Sequence, residues 1–192
     1  LCGLSALAAV VVALALPAGA AALTVPGTVQ SIPGINRVAQ LARAEYSKRV
    51  SENRSNNVPR YHRGKGRIAP YSIGDAWCAA FSTWIWNRAG FDDYLETDLV
   101  WSSHDGTDVA IQVKDLTRWA QRTGHFSFRA RPGFLVAYGR SHIGVVLKAD
   151  REGRAVMSIE GNKSDQVAKV EIAMEDVTGY ISPVRLMAGQ YV

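Results

Sequence analysis

The pattern of apolar and polar positions divides the chain into an apolar leader, a helical part and a strand-rich part. Residues 4–16 are almost entirely Ala, Val and Leu, and Pro17 and Gly19 end this run amid several alanines. An apolar run of roughly a dozen residues that ends in small residues is typical of a secretory signal peptide. We therefore expect residues 1–22 to be a leader that is cleaved near Ala20 to Ala22, and residues 23–35 to be a linker.

An uncleaved membrane anchor is the alternative interpretation of the leader. Residues 1–23 reach the length of about 20 residues that a membrane span needs, whereas the internal Pro17 and Gly19 favour cleavage. Cys2 precedes the apolar run, and a lipid-modified cysteine would follow it, so no lipid anchor is expected. A signal peptide usually begins with a positively charged segment, and this sequence, which begins at Leu1, does not contain one. We therefore expect the sequence to lack its first residues.

Three helices are predicted in the part that follows the linker. Apolar residues recur at helical spacing after Asn36, which is a suitable N-cap. Asp75 and Gly90 are expected to cap the start and the end of the second helix, and the third is predicted within residues 105–124. The segment between the first two helices, residues 51–70, is polar and contains Gly and Pro, which predicts a long loop.

After residue 124 the apolar period changes to that of strands. Short runs rich in Val, Ile and aromatic residues predict strands at 134–138, 143–147, 155–159, 167–172 and 180–186. The Asp-Arg-Glu-Gly sequence at 150–153 predicts the turn between the second and third of these runs. Helices first and consecutive strands later predict an α+β domain with an antiparallel sheet, which we place at residues 36–187.

Composition and charge limit the class of protein. With 192 residues and 47% hydrophobic content, the chain is long enough to form one domain with its own core. The net charge of +5 lies entirely at or after Arg37 and favours anionic surfaces, although a basic surface kept for solubility explains it equally well. Basic residues are dispersed and no recognition motif is present, so nucleic-acid binding is not expected.

Cys78 is the one cysteine that remains once the leader is removed, so an internal disulfide is excluded for the mature chain. The number of cysteines alone does not decide whether Cys78 is a buried apolar thiol or a catalytic nucleophile. The position just after Asp75 favours the nucleophile, because free N–H groups at a helix start stabilise a thiolate. We therefore expect the pKa of Cys78 to be depressed, and the neighbouring Trp77 and Phe81 to wall a substrate cleft.

Among the four histidines, His142 has the sequence context of a catalytic base. His62, His104 and His125 lie in or beside polar segments and are expected on the solvated surface. His142 begins a predicted central strand, which is a rigid platform for a base, and Gly144 on the same face leaves space beside its ring.

A base of this kind needs an acceptor that fixes its tautomer. His142 and Glu160 are equally distant from Arg151 in the predicted turn, so antiparallel pairing should bring Glu160 or Asn162 beside His142. An ordinary strand-end glutamate and turn asparagine are the alternative.

Three segments resemble one known family, the CHAP domain, a papain-like group of cysteine, histidine-dependent amidohydrolases and peptidases. They are residues 75–84 (DAWCAAFSTW), 141–146 (SHIGVV) and 159–162 (IEGN), and residues 41–46 (LARAEY) resemble the opening helix of that family. The likeness covers residues 36–185 and keeps the order of the motifs. One departure is Phe134 after Pro132 and Gly133, where the family often has Asp.

The resemblance implies a papain-like fold, with helices packed on a C-terminal antiparallel sheet, and a role for each motif residue. Cys78 would be the nucleophile, His142 the general base, Glu160 the orienting acid and Asn162 a fourth polar member of the site. It also implies hydrolysis of amides in the stem or cross-bridge peptides of bacterial peptidoglycan. No metal or other cofactor is expected, because a lone cysteine and scattered histidines give no metal-ligand spacing.

We therefore expect a secreted or wall-associated peptidoglycan hydrolase, either an endopeptidase or an N-acetylmuramoyl-L-alanine amidase. Its partner would be peptidoglycan, its only membrane contact would be an uncleaved leader, and it would act as a monomer. Two alternatives stay open at this stage. The same thioester could be passed to an amine by a transpeptidase, or the chain could be a non-catalytic wall-binding module.

Overall fold

The computed structural model describes residues 32–62, 66–91, 112–139 and 141–186. The predicted leader and most of the linker lie outside the described residues. The helices are α1 (Ile35–Ser47), α2 (Cys78–Ala89) and α3 (Val113–Thr123). The strands are β1 (Val50–Glu52), β2 (Pro59–Tyr61), β3 (Phe126–Ser127), β4 (Leu135–Tyr138), β5 (His142–Ala149), β6 (Ala155–Glu160), β7 (Ala168–Ala173) and β8 (Val177–Ile181), with a 3-10 turn at Met174–Asp176.

Strands β3 to β8 form one antiparallel sheet in the order β3-β8-β4-β5-β6-β7, against which α1 and α2 pack through β5 and β6. The chain therefore has the α+β architecture, with helices on an antiparallel sheet, that the sequence predicted. Five apolar residues in a row are buried in β5, which makes this strand the centre of the core. None of the helices in the described ranges is long and apolar enough to cross a bilayer.

Strands β1 and β2 form a separate hairpin inside the segment predicted to be a loop, so that prediction was wrong. Each strand has only three residues, and β1 takes further hydrogen bonds from a distant loop. The Glu52 N–H donates to Asp165 O over 2.7 Å, and the Val167 N–H donates to Val50 O over 2.9 Å. The local pattern of apolar and polar residues could not predict these strands, because part of their hydrogen bonding is to residues more than 100 positions away.

The predicted C-terminal ends of α2 and α3 are confirmed, whereas the predicted N-caps of α1 and α2 are wrong. Gly90 ends α2 and Gly124 ends α3, both with left-handed φ angles that glycine adopts easily. At the start of α1 the N-cap is Gly34 and not Asn36. The N-cap of α2 is Trp77, because the Asp75 carboxylate accepts a hydrogen bond from the adjacent Ala76 N–H over 2.7 Å and caps a bend before the helix.

The third predicted helix begins at Val113 within the described residues, behind Gln112 as N-cap. The rest of its predicted range, residues 105–111, lies outside them. The last strand ends at Ile181 and does not continue to residue 186, because Pro183 lacks the N–H that a further ladder bond would need.

The β5–β6 register differs by two residues from the predicted one. Val145 pairs with Ile159 and Val146 with Ser158, and a bulge follows Val146. If this pairing is continued toward the start of β5, Gly144 and not His142 lies opposite Glu160. The turn extends to Arg154, whose N–H donates to the Asp150 carboxylate over 2.7 Å. Because a shift of two residues keeps every side chain on its face, His142 and Glu160 remain neighbours.

A buried hydrogen bond fastens α2 to the turn that precedes β4. Trp86 is 1% exposed, and its Nε1–H donates to Gly133 O over 2.9 Å. Gly133 has a φ of 86°, and a Cβ placed there would lie 2.7 Å from Ile35 in α1. Only glycine therefore fits at this junction of α1, α2 and the sheet.

We expect Trp86→Phe to lower the free energy of unfolding by about 1–3 kcal/mol, because Gly133 O would lose its buried donor. Trp84→Phe is the matched control, since Trp84 lies on the same helix, is only partly buried and makes no side-chain hydrogen bond within the described residues. Urea unfolding of both variants measures the difference. Equal losses would show that the hydrogen bond contributes nothing.

Candidate active site

Cys78 is the residue at which α2 begins, and His142 is the residue at which β5 begins. Cys78 is the first residue of α2 and is 6% exposed. Its Sγ lies 3.9 Å from Ser141 O, and the Ile143 N–H is close enough to interact with the sulfur. The thiol therefore lies against the backbone on both sides of His142. The fold therefore sets the predicted nucleophile against Ser141 and Ile143, the residues on either side of the predicted base.

Glu160 lies beside His142 from the neighbouring strand. Glu160 Oε2 is 3.1 Å from His142 Nε2, which confirms the predicted proximity. The ring N–H does not point at the carboxylate oxygen, so this is a close polar contact and not an aligned hydrogen bond. Contacts of this kind often tighten when substrate binds. With Nε2 at the carboxylate, Nδ1 is the nitrogen left to exchange a proton with the thiol.

The Glu160 carboxylate is fully buried and is surrounded by donors. Ser158 Oγ donates to its Oε1 over 2.5 Å, and the Tyr138 hydroxyl donates to its Oε2 over 2.6 Å. Burial by itself raises the pKa of Glu160, but the contact with His142 and the hydrogen bonds from Ser158 and Tyr138 outweigh it and hold that pKa below its usual value. The carboxylate is therefore ionised at neutral pH.

Tyr138 and Lys163 extend this network and were not found by sequence reasoning. The Lys163 ammonium donates to the Tyr138 hydroxyl over 3.0 Å and lies 5.1 Å from the centre of its ring. Burial, followed by the hydrogen bond to Glu160, raises the pKa of Tyr138, which keeps the phenol protonated as a donor. Tyr138 is paired with His142 in the β4–β5 ladder. An aromatic residue at the end of the strand before His142 is the feature of the sequence that could have indicated it.

Asn162 holds the start of α2 and does not face His142 as a second acceptor. The orientation of its amide that satisfies both ends has the nitrogen donating to Glu52 Oε1 over 3.0 Å and the oxygen accepting from the Trp77 N–H over 3.2 Å. Glu52 Oε1 also accepts from the Trp77 indole over 2.5 Å. Because β6 ends at Glu160 and Asn162 has a φ of 55°, its side chain is carried toward α2.

Trp77 and Phe81 are fully buried, which corrects the expectation that their rings wall an open cleft. The first turn of α2 faces the core, and both rings pack beneath the end of β6. A Cβ at Gly161 would lie 2.5 Å from Phe81 Cβ and 2.9 Å from Trp77 Cε3. These residues therefore set the distance between α2 and β6.

The pKa of Cys78 is raised, opposite to the depressed value predicted from its place at a helix start. Burial is the largest cause, and the negative charge of Glu160 adds to it. The N–H groups of Ala79, Cys78 and Ile143 act in the other direction but do not prevail. The thiol is therefore neutral at neutral pH, and it can act as a nucleophile only if a base takes its proton.

The remaining histidines differ in their burial. His62 is exposed, as predicted, and its Nε2 is hydrogen-bonded to Ser51 Oγ. His104 lies outside the described residues. His125 was predicted on the surface and is only 6% exposed, because its ring stacks on Trp119 at 4.4 Å and its Nδ1 meets the Thr123 hydroxyl at 2.9 Å.

No protein-family model, curated protein or solved structure significantly matches the chain. The interpretation of the site therefore depends on its geometry and on the sequence motifs. In the described ranges no group of three or more His, Cys, Asp or Glu side chains is arranged to hold a metal ion. A thiol, an imidazole and a buried carboxylate in this order can support nucleophilic catalysis through an acyl-enzyme.

We expect Gly144→Ala to destabilise the protein by about 1–3 kcal/mol, because overpacking a confined site forces side chains and backbone to move. The added methyl would lie 2.4 Å from Glu160 Cγ. Gly179→Ala in β8 is the control, since its methyl meets the far end of the partly exposed Phe126 ring, which can swing away. Urea unfolding compares them. A loss for Gly144→Ala no larger than the loss for Gly179→Ala would show that Glu160 is not confined.

We also expect the alkylation of Cys78 by iodoacetamide to rise with pH through a midpoint above the ordinary thiol value of about 8.5, because a raised pKa delays formation of the thiolate. Glu160→Gln should move this midpoint to lower pH by removing a like charge. Glu171→Gln, on the exposed face of β7, should leave it unchanged.

Rate-against-pH curves for the wild type and both variants measure these shifts. A wild-type midpoint well below 8.5, or an upward shift in Glu160→Gln, would instead indicate a preformed thiolate–imidazolium pair.

Proposed function

We propose that this chain is an exported cysteine hydrolase that cleaves amide bonds of bacterial peptidoglycan, with Cys78 as nucleophile and His142 as general base. The observation that carries the proposal is the buried, ionised Glu160 held 3.1 Å from His142. A buried carboxylate is costly even when it is hydrogen-bonded. A purely structural thiol in the core would need neither this carboxylate nor a partly exposed imidazole beside it.

The geometry supports a two-step mechanism. His142 takes the Cys78 proton as Sγ attacks the amide carbonyl carbon, and Glu160 stabilises the imidazolium that forms. The N–H groups at the start of α2 lie beside the sulfur and can stabilise the oxyanion. His142 then protonates the leaving amine as the C–N bond breaks, which leaves a thioester. Water, deprotonated by His142, attacks the thioester, and Cys78 leaves as thiolate and regains its proton.

The peptidoglycan assignment is supported by the sequence. The segments around Cys78, His142 and Glu160 resemble those of the CHAP domain in type and order, and the α+β architecture is compatible with the papain-like fold of that family. The apolar leader supports export, and a net charge of +5 suits an anionic wall. Both endopeptidase and N-acetylmuramoyl-L-alanine amidase activity fit this site.

We expect Cys78→Ala to reduce the release of fragments from purified peptidoglycan by at least about a thousandfold, since loss of a catalytic nucleophile removes the covalent route. Cys78→Ser should be nearly as inactive, because a hydroxyl is a much weaker nucleophile. Circular dichroism and urea unfolding check that the variants fold, and mass spectrometry of the fragments identifies the bond.

Retained hydrolysis by a well-folded Cys78→Ala protein would exclude this nucleophile. Wild-type protein that binds the wall but releases nothing would instead be a binding module. Incorporation of an added amine into the product in place of water would identify a transpeptidase.

A further inference from the structure

A groove of about 300 Å³ runs between α3 and the strand ends that carry the active site. We name it the α3 groove, and its lining includes Lys114, Thr117 and Arg118 from α3 and Tyr138 and Ser141 from the β4–β5 edge. Tyr138 donates to Glu160, and Ser141 O lies 3.9 Å from Cys78 Sγ. The groove therefore shares two of its residues with the surroundings of the nucleophile.

The polar face of α3 forms one wall of the groove. Leu116, Trp119 and Ala120 are buried on the opposite side of the helix. Lys114, Arg118 and Gln121 are exposed at spacings of four and three, so they lie above one another along one face. This face presents two positive charges and an amide toward the strand ends.

The two cations are available for a ligand. Within the described residues, Lys114 has no hydrogen-bonding or ion-pair partner. Arg118 contacts only Asp115 there, at 3.4 Å, and both side chains are largely exposed, so this pair is weak and exchangeable. The described residues that line the groove include no carboxylate. The described residues of the groove therefore do not neutralise the charge of this wall.

We propose that the α3 groove is a substrate subsite in which Lys114 and Arg118 bind a free carboxylate of the peptide whose amide is cleaved at Cys78. The inference rests on the proposed amide hydrolysis and adds the ligand class that the groove selects. Arginine can bind a carboxylate through two parallel hydrogen bonds, and lysine adds a point charge one turn away. A groove of this volume holds a short peptide segment.

Binding to a Cys78→Ala protein tests the subsite independently of catalysis. The probes are a muramyl peptide with its carboxylates free and the same peptide with every carboxylate converted to carboxamide. Affinities are measured by calorimetry in the Cys78→Ala background, alone and combined with Lys114→Gln, Arg118→Gln or both. Arg122→Gln is the matched control, since Arg122 lies on the same helix and carries the same charge but does not line the groove.

We expect the free-carboxylate peptide to bind about 10- to 100-fold more tightly than the carboxamide, as charge-assisted hydrogen bonds allow. The double variant should bind both peptides equally, while Arg122→Gln should keep the preference.

Equal binding of the two peptides by the parent protein, binding of neither, or a preference that survives the double substitution would overturn the subsite. So would competition by glycerol phosphate as strong as that by the free-carboxylate peptide. Peptidoglycan hydrolysis by the wild type, measured in parallel, reports on the proposed function alone. If the preference for the free-carboxylate peptide depends on Lys114 and Arg118 but no hydrolysis is detected, carboxylate binding in the α3 groove is supported and the proposed hydrolase activity is excluded.

Discussion

The geometry of the site depends on the burial of one negative charge, the Glu160 carboxylate. Removing a carboxylate from water costs several kcal/mol, and hydrogen bonds or a paired charge at its oxygens are needed to offset that cost. Here Ser158, Tyr138 and His142 meet both oxygens. The carboxylate also needs space, which Gly144 supplies, because any larger residue there would overlap Glu160. The β5–β6 register, the glycine and the orientation of His142 are thus consequences of placing this charge.

The same burial sets the protonation of Cys78, the proposed nucleophile. A helix start favours a thiolate when it faces solvent, but Cys78 is enclosed and shares its surroundings with Glu160. Loss of hydration and repulsion from the carboxylate both favour the neutral thiol, and three nearby N–H groups do not overcome them. In the proposed mechanism, the carboxylate that stabilises the imidazolium therefore also opposes early ionisation of the sulfur. The proton would then move as the carbon–sulfur bond forms, when the negative charge passes to the oxyanion.

Periodic features could be predicted from the sequence, and features set by burial or by distant partners could not. Strands β4 to β7 follow the apolar pattern, whereas β8 begins at Val177 and shares only Tyr180 and Ile181 with its predicted run. The His142–Glu160 contact survives a register error of two residues because strand faces repeat every two residues. The β1–β2 hairpin and Glu52 were missed because their hydrogen bonds come from residues 162–167 and from Trp77. The sign of the Cys78 pKa shift was missed because it depends on enclosure by other segments.

The end of β6 joins the parts of the site through four consecutive residues. Glu160 contacts His142 of β5, Gly161 lies against Trp77 and Phe81, Asn162 links Glu52 to the Trp77 N–H, and Lys163 donates to Tyr138 of β4. The left-handed φ of 55° at Asn162 costs on the order of 1–3 kcal/mol, and the two hydrogen bonds of its amide offset that strain. The path of this turn fixes α2, β4 and β5 relative to one another. Cys78 and His142 lie on different elements, α2 and β5, and this turn contacts both of those elements.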